Sequence, residues 1–450
     1  MKVFVFLQKK FSMIKIFKII FFFLIIYSKV FCQSNLTLDD CQRLAAENYP
    51  LIAQYGLIDA AKEFTLDNIS SIYLPQIQLI GQATYQTSVT QLKLKPETQQ
   101  IIDGINQSMG TNFSAASFME PMPKDQYKTY LEATQVIWDG GQTSAGKRVT
   151  RANAEVEKQK ITVSMYAIRQ KISDLYFGIL QIDEQTKILD LYYSNLQEIE
   201  KTVQSAVNNG VAMASDLNLV QVEFLNLEQK KIELSAMRTA CISVLSAFIH
   251  QNLNNSITLE MPAGLEEIST EISRPELTLI QRQRELFEAQ KRTINAKNFP
   301  VLGLFVQGGY GRPALNMLDA AWQPYAIGGL QFKWNFSNFY NRKRDLNLID
   351  NNLKILNIQE ETFRFNTNLE MSNLSPSVSK FKQLIETDNK IVELRTQVTK
   401  TSESKYRNGI YQMKDLIADS NAENLAKQTK SIHYIQYLKS LNDLKITRGE

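Results

Sequence analysis

The chain reads as a mainly α protein with a small β part, in which one plan, a helix, two strands and a very long helical hairpin, is written twice. Three observations predict it. Matching turn sequences recur with Gly210 and Gly409 lying 199 positions apart: Val207-Asn208-Asn209-Gly210-Val211 with Asp216-Leu217, and Tyr406-Arg407-Asn408-Gly409-Ile410 with Asp415-Leu416. The residues before the first turn keep a seven-residue apolar beat, and four short segments alternate apolar and polar side chains. Pro50 and Pro75 stand 25 residues apart, as do Pro275 and Pro300, and Trp138 has its counterpart in Trp334. Solenoid repeats run to about 20–50 residues, so this longer period marks a duplicated unit within one pseudo-symmetric protomer, with repeats at 33–262 and 263–450.

The N-terminus sets the expected compartment. Lys9, Lys10, Lys15 and Lys18 precede the apolar run Ile19 to Tyr27, which is too short to span a bilayer as a helix and suits the core of an export signal. Residues 1–32 are therefore read as a signal peptide, with Met13 an alternative start. Cleavage after Cys32 places Val30 and Cys32 at the small-residue positions; lipidation of Cys32 is the rival, and the bulk of Phe31 disfavours it. Removing the segment takes away six lysines and no acid, turning 50 basic residues into 44 against 46 acidic ones. The basicity of the precursor thus belongs to its leader and argues for no nucleic-acid partner. Cys41 and Cys241 then remain, too few and too distant for a disulfide framework. No later stretch holds 18 consecutive apolar residues, so any second entry into a membrane falls to β-strands.

Taken in order, the first strand follows Pro75. Ile77, Leu79, Gly81, Ala83, Tyr85 and Val89 alternate with Gln76, Gln78, Gln82, Thr84, Gln86 and Ser88, giving one apolar and one polar face. A second strand, around Tyr130 to Trp138, alternates less cleanly. The first hairpin spans 63 positions from Pro75 to Trp138, against 34 from Pro300 to Trp334, an excess of 29 that includes Leu92 to Asp125. Met109, Phe113, Phe118 and Met122 give this insertion apolar side chains for packing.

From Gln142 to Val207 the only glycines are Gly146 and Gly178 and there is no proline, which permits one helix of about 65 residues, roughly 100 Å long. Ile161, Ile168, Leu175, Ile182, Leu189, Leu196 and Val203 form one heptad series; Met165, Ile172, Ile179, Thr186, Tyr193, Glu200 and Val207 form the other. The beat demands a supercoiled partner, because a straight helix drifts by about 20° per heptad. Thr186 and Glu200 interrupt the seam and read as solvated ends of a wide stripe ahead of a polar transport lining. Asn209-Gly210 stops the helix, and Ser215 or Asp216 caps a return helix carrying Leu217, Val220, Phe224, Leu227, Leu234 and Val244.

The second half repeats the pattern. Leu302, Leu304, Val306 and Tyr310 mark a third strand, and Leu330, Phe332, Trp334 and Phe336 a fourth. A helix from about Asn341, a turn at Asn408-Gly409 and a return helix through Tyr437 rebuild the hairpin, with Pro376 expected to kink or interrupt its first arm. Strands of this length with an apolar stripe and terminal aromatics, Tyr85, Trp138, Tyr310 and Trp334, match transmembrane strands; a soluble hairpin packed on a helix is the alternative. Four strands cannot close a barrel of useful bore, so oligomerisation has to supply the rest.

This order of elements resembles the outer-membrane efflux protein family, the TolC-like channels. The resemblance is carried by Leu38-Asp39-Asp40 with Ala45, Ala46, Asn48 and Pro50, by Tyr73-Leu74-Pro75, by Trp138-Asp139-Gly140-Gly141, and by the two Asn-Gly turns; it extends over residues 34–445. It rests on order and duplication, no single motif being diagnostic. It implies a homotrimer whose protomers close a 12-stranded β-barrel in the outer membrane, continuous with a periplasmic α-helical barrel. It further implies an exit duct for an efflux pump or a type I secretion system, working with a periplasmic adaptor and an inner-membrane transporter, without cofactor, metal or chemistry of its own.

The resemblance also implies a pore constriction at the periplasmic tip. There the family links helices through an Asp in the first repeat, a Tyr before the second glycine, and an Arg and Asp after it. Asp216, Tyr406 and Asp415 match, whereas Tyr411 stands in place of the Arg and Ala418 in place of a second ring Asp. A Tyr406 to Asp216 hydrogen bond and a ring of Asp415 carboxylates remain as expectations, and Asn209, Gly210, Asn408 and Gly409 become the expected turn and adaptor-docking positions. Asp216 and Asp415 read equally well as helix caps or first-turn acids, a role compatible with gating.

One string invites an enzymatic reading. Gly141 to Lys147 fits the first seven positions of a phosphate-binding loop, but Arg148 stands where a hydroxyl would meet Mg²⁺, and the second repeat lacks the string. His250 and His433 have no metal-ligand partner at usable spacing and default to the helix surface. A periplasmic coiled-coil adaptor without a pore is the competing non-enzyme class; it shares the leader and heptads but not the four alternating strands.

Overall fold

The computed structural model describes residues 36–89, 94–112, 122–262 and 271–450; the leader at 1–32 with Cys32, and Phe113 and Phe118 of the insertion, lie outside them. Two rounds of elements follow one another. The first comprises α1 (Leu38–Asn48), α2 (Gln54–Ser70), β1 (Gln76–Tyr85), α3 (Pro96–Met109), β2 (Asp125–Trp138), α4 (Gln142–Asn208) and α5 (Ala214–Ile249). The second comprises α6 (Pro275–Ala296), β3 (Val301–Arg312), β4 (Gln323–Lys333), α7 (Asn338–Arg407) and α8 (Met413–Arg448). They form two compact units, each drawing on both halves of the sequence. One consists of the described parts of Met1–Tyr49, Ala167–Thr270 and Met371–Thr447; the other consists of those of Pro50–Tyr166, Glu271–Glu370 and Arg448–Glu450.

The first unit is helical, and its core follows the heptads. Ile182, Leu189, Tyr192, Leu196, Ile199 and Val203 of α4 pack with Val220, Leu227 and Leu234 of α5 and with Met413 and Leu416 of α8. Each fully buried aliphatic side chain contributes about 1.5–3 kcal/mol. Beyond Leu234 the buried set on α5 moves to Ile242, Leu245 and Ile249 and leaves Val244, an expected core residue, exposed. The step from Leu234 to Ile242 is eight residues, the correction that a 3.6-residue helix makes to a strict heptad. Thr186 breaks the seam at little cost, because its hydroxyl donates to the Ile182 carbonyl at 2.8 Å. By length and composition α5 is long and apolar enough to cross a membrane, although charged and polar residues interrupt its apolar run.

Polar side chains tie α7 to α8 more than apolar ones do. Thr396 donates to Glu423 at 2.8 Å and Ser402 to Asp419 at 2.6 Å, while Thr399 reaches the Asp419 carbonyl at 3.3 Å. His433 is no surface bystander: its Nδ1 lies 2.6 Å from the buried Asp388 carboxylate. His250 ends α5 in the left-handed conformation at φ 54°. The interruption expected at Pro376 is absent, since α7 runs unbroken from Asn338 to Arg407. One lost i→i−4 bond, about 3 kcal/mol with the ring clash, is small against the ladder of a 70-residue helix.

Two side chains pin the first unit's connecting segments. Leu36 pairs with Leu259 in a parallel bridge, and the fully buried Tyr176 points its hydroxyl at the carbonyls of Leu36 (2.8 Å) and Glu260 (2.6 Å). Arg238 grips Asp183 at 2.6 and 3.3 Å and donates to the carbonyls of Asn255 and, at 2.7 Å, Ile257. Cys41 of α1 is buried, and burial pushes its thiol up to about 12, so it stays a thiol and packs. Thr37 caps α1 by accepting from the Asp40 N–H at 3.1 Å.

The second unit holds one antiparallel sheet in the order β1-β2-β3-β4. Strand limits differ from the expected ones: β1 stops at Tyr85 before Val89, β2 begins at Asp125, and β4 ends at Lys333, leaving Trp334 and Phe336 beyond it. Just past the ladder, the Trp334 indole N–H donates to the Asn298 carbonyl at 3.0 Å. The insertion contains α3, with Pro96 at its first turn and Gly110 ending it at φ 60°. Within the insertion Met122 is buried and Met109 exposed. Around the sheet's helices, Arg284 bridges Asn357 and Glu360, Lys291 meets Asp350 at 2.9 Å, and Arg274 stacks on Tyr166 and Phe363.

Candidate channel elements: a two-faced sheet and paired helical turns

Residues in register across an antiparallel pair share a face. Ile77 pairs with Ala133 and Leu79 with Leu131; Leu131 pairs with Gly308 and Ala133 with Val306; Val306 pairs with Gly328, Leu304 with Leu330 and Leu302 with Phe332. One face of the whole sheet is therefore apolar, and it is bare: Ile77, Leu79 and Leu330 are 72%, 70% and 69% exposed. The other face is mixed: Gln78, Gln82, Lys128, Glu132, Thr134, Gln307 and Gln331 stand among Ile80, Tyr130, Phe305, Tyr325 and Ile327. Glu132 accepts from Gln78 of β1 at 2.6 Å and from Gln307 of β3 at 2.7 Å. Gly309, opposite Tyr130, has no room for a side chain, since a Cβ there would lie 2.4 Å from the Thr129 carbonyl oxygen.

All four expected interface aromatics are exposed and fall at the two ends of the strands. Tyr85 and Tyr310 lie at one end, opposite Asp125 and Pro324; Trp138, opposite Leu302, and Trp334 lie at the other. From Leu302 to Tyr310 is eight steps, or roughly 27 Å of strand, about the height of a transmembrane apolar band. Sequence reasoning missed Tyr127 and Trp322. Trp322 stacks on Tyr310 (5.6 Å) and on Tyr127 (6.0 Å), completing the first rim, while Trp334 packs on Phe336 (4.7 Å) at the second. The signal was available, since Trp322 is one of 3 tryptophans and precedes a strand.

The two glycine turns repeat bond for bond at the offset of 199. Gly210 and Gly409 adopt φ 72° and 73°. Val211 N–H donates to the Ala206 carbonyl at 2.8 Å, and Ile410 N–H to that of Lys405 at 2.9 Å; the side-chain amides of Asn209 and Asn408 donate to the carbonyls of Ser205 and Ser404 at 2.8 and 2.9 Å. The acids match as well. Asp216 accepts from the Met213 N–H at 3.1 Å and Asp415 from the Gln412 N–H at 3.2 Å, so both are first-turn acids satisfying a backbone donor. Side chains differ at several positions; among them Ala206 and Ala212 of the first turn correspond to Lys405 and Tyr411 of the second, where the ammonium lies 4.6 Å from the ring centroid.

A cleft of about 860 Å³ at these turns brings together Asp216, Tyr406, Tyr411, Asn209 and Gly409. Asp415, Asn408 and Gly210 are not in its lining. The expected Tyr406 to Asp216 hydrogen bond is not formed. The Tyr406 hydroxyl is buried without a partner, because the Asp216 carboxylate turns back to its own helix. Burial, and then the Asp216 charge, push the Tyr406 phenol above its ordinary range, so it remains a neutral donor.

The phosphate-loop string does not form a loop. α4 begins at Gln142, immediately after Gly141, and its N-terminus is filled by Asp139, whose carboxylate accepts from Gly141 N–H at 2.9 Å and Thr143 N–H at 2.5 Å. Its own anion occupies the place where a phosphate would bind. Among the described residues no group of three or more His, Cys, Asp and Glu is arranged to hold a metal ion.

No protein-family model matches the chain, and no curated protein matches it. Solved structures do. The outer-membrane channel OprN superposes with a TM-score of 0.63 at 13% identity, covering 92% of this chain and 89% of that one. The outer membrane protein VceC of Vibrio cholerae gives 0.60 at 12% identity, covering 91% and 94%, and the CmeC outer membrane channel of Campylobacter jejuni gives 0.60 at 13%, covering 92% and 85%. The likeness is to whole channel protomers, and the chain has the fold of outer-membrane channels.

Proposed function

We propose that three copies of this chain form the outer-membrane exit duct of an efflux pump or a type I secretion system. The observation that carries this reading is the sheet: one face bare and largely apolar, the other glutamine-rich, with aromatic rims at both ends and four strands among the described residues. A lipid boundary on one side and water on the other account for that division. Three such sheets joined edge to edge give 12 strands and leave no open edge. The exposed apolar residues of α5, such as Leu225 and Ile232, then face neighbouring helices of an α-helical barrel in the periplasm. Residues 1–32 act as the export signal, and the two repeats, 33–262 and 263–450, arise by duplication.

In this reading the paired turns are the periplasmic tip. Asp216, Tyr406, Tyr411 and Asp415 form the constriction, and Asn209, Gly210, Asn408 and Gly409 dock the periplasmic adaptor that joins the duct to its inner-membrane transporter. Tyr85, Trp138, Tyr310 and Trp334 sit at the membrane interfaces. A poreless periplasmic adaptor has no use for a bare, lipid-type sheet face. The test is extraction from outer membranes followed by reconstitution in planar bilayers. A trimer resisting heat in detergent, with stepwise conductance, is expected; a soluble periplasmic monomer without conductance overturns the proposal.

A further inference from the structure

The sheet's polar face holds a carboxylate at its centre. Glu132 lies in the middle of β2, and each of its oxygens accepts one amide N–H, Oε2 from Gln78 of β1 and Oε1 from Gln307 of β3. The two glutamines come from the strands on either side, so the carboxylate is tethered from both flanks and sits on the face opposite Leu79, Leu131 and Val306. Among the described residues no Lys or Arg forms an ion pair with Glu132; the nearest base in sequence on its face is Lys128, four residues and about 13 Å along the strand. A tether of two neutral amides fixes the position of the charge without cancelling it.

We propose that Glu132 is a cation-selecting residue of the membrane barrel, held in position by Gln78 and Gln307. The inference rests on the duct reading, under which three copies of Glu132 form a ring at mid-height of the lumen, well away from the acids at the helical turns. Three unit charges on the order of 10 Å from the axis, screened over about one Debye length, favour cations over anions about fivefold. Small cations and cationic amphiphiles are the solutes such a ring admits; multiply charged anions are those it delays.

The experiment is the reversal potential of the reconstituted full-length protein in a potassium chloride gradient. Glu132→Gln keeps the size and one acceptor oxygen but removes the charge, and the cation-to-anion permeability ratio is expected to fall about fivefold. Gln78→Leu with Gln307→Leu keeps the charge and frees the carboxylate, and is expected to lower the ratio by a smaller factor. Lys128→Gln, on the same face, should raise it. An unchanged ratio in Glu132→Gln, with channels of normal frequency and size, overturns the role of Glu132 and leaves the duct intact. Failure of the unaltered protein to conduct overturns the duct, and this inference with it.

Discussion

Replacing Asp139 by alanine tests the joint between strand β2 and helix α4. Asp139 is buried, and its carboxylate accepts from the N–H groups of Gly141 and Thr143; the Tyr73 hydroxyl lies beside it. A lost N-cap costs about 0.5–2 kcal/mol, and a buried donor left unmade about 1–3 kcal/mol. These overlap, since they describe the same bonds, so Asp139→Ala is expected to destabilise the protein by about 1–3 kcal/mol. Asp139→Asn retains one acceptor oxygen and should lose about half as much. Burial raises the pKa of Asp139, but the bonds from Thr143, Tyr73 and Gly141 outweigh it and hold the carboxyl below its ordinary value. The contribution is therefore fully present above the unfolded carboxyl value of about 3.9 and disappears as pH falls through the lower folded value. Denaturant unfolding in detergent at pH 7 and pH 3 measures both effects, with hydrogen exchange at the Thr143 amide as the local readout. A loss under about 0.5 kcal/mol in the alanine variant, or a gap that does not narrow in acid, refutes the capping argument.

Other outcomes are equally direct. Asp415→Asn keeps an acceptor for the Gln412 N–H, so stability should change by less than about 1 kcal/mol while cation selectivity and cation block of the channel decline; unchanged selectivity and block remove the gate role. A Cβ at Gly409 meets no neighbouring atom, and so the cost of Gly409→Ala is the backbone's alone, about 1–2 kcal/mol for φ 73°, with Gly409→Asn costing less in the same unfolding assay. Leu330→Arg, on the bare face, should lower the yield of heat-resistant trimer in outer membranes by a midplane penalty of about 2–4 kcal/mol, whereas Gln331→Arg on the opposite face should leave it near normal.

Much of this architecture was legible because it is periodic. The heptads of α4 located a helix within one residue of its real end, and the alternation in β1 and β3 fixed which face of the sheet is apolar. Position in a repeat cannot report a single side chain that reaches a carbonyl in a loop, which is why Tyr176 and Arg238 went unseen. The polar ties of α7 and α8 similarly hid that hairpin's register, and Asp388 and His433, 45 residues apart, meet only once the helices fold back. At the turns, composition located the corners and their first-turn acids. It did not reveal that Asp216 turns away from Tyr406, because the choice between a neighbouring phenol and the acid's own backbone N–H is decided by local geometry.

Duplication left two corners with one main chain and two chemistries. The first carries Ala206 and Ala212 where the second carries Lys405 and Tyr411, and the second is latched across its own bend by an ammonium resting on a phenol ring. A threefold assembly would alternate three unlatched corners with three latched ones around its rim. Loosening of such a rim would begin at the unlatched corners and be arrested at the latched ones, so a dilating mouth would pass through a state of half-spread symmetry before it widened fully.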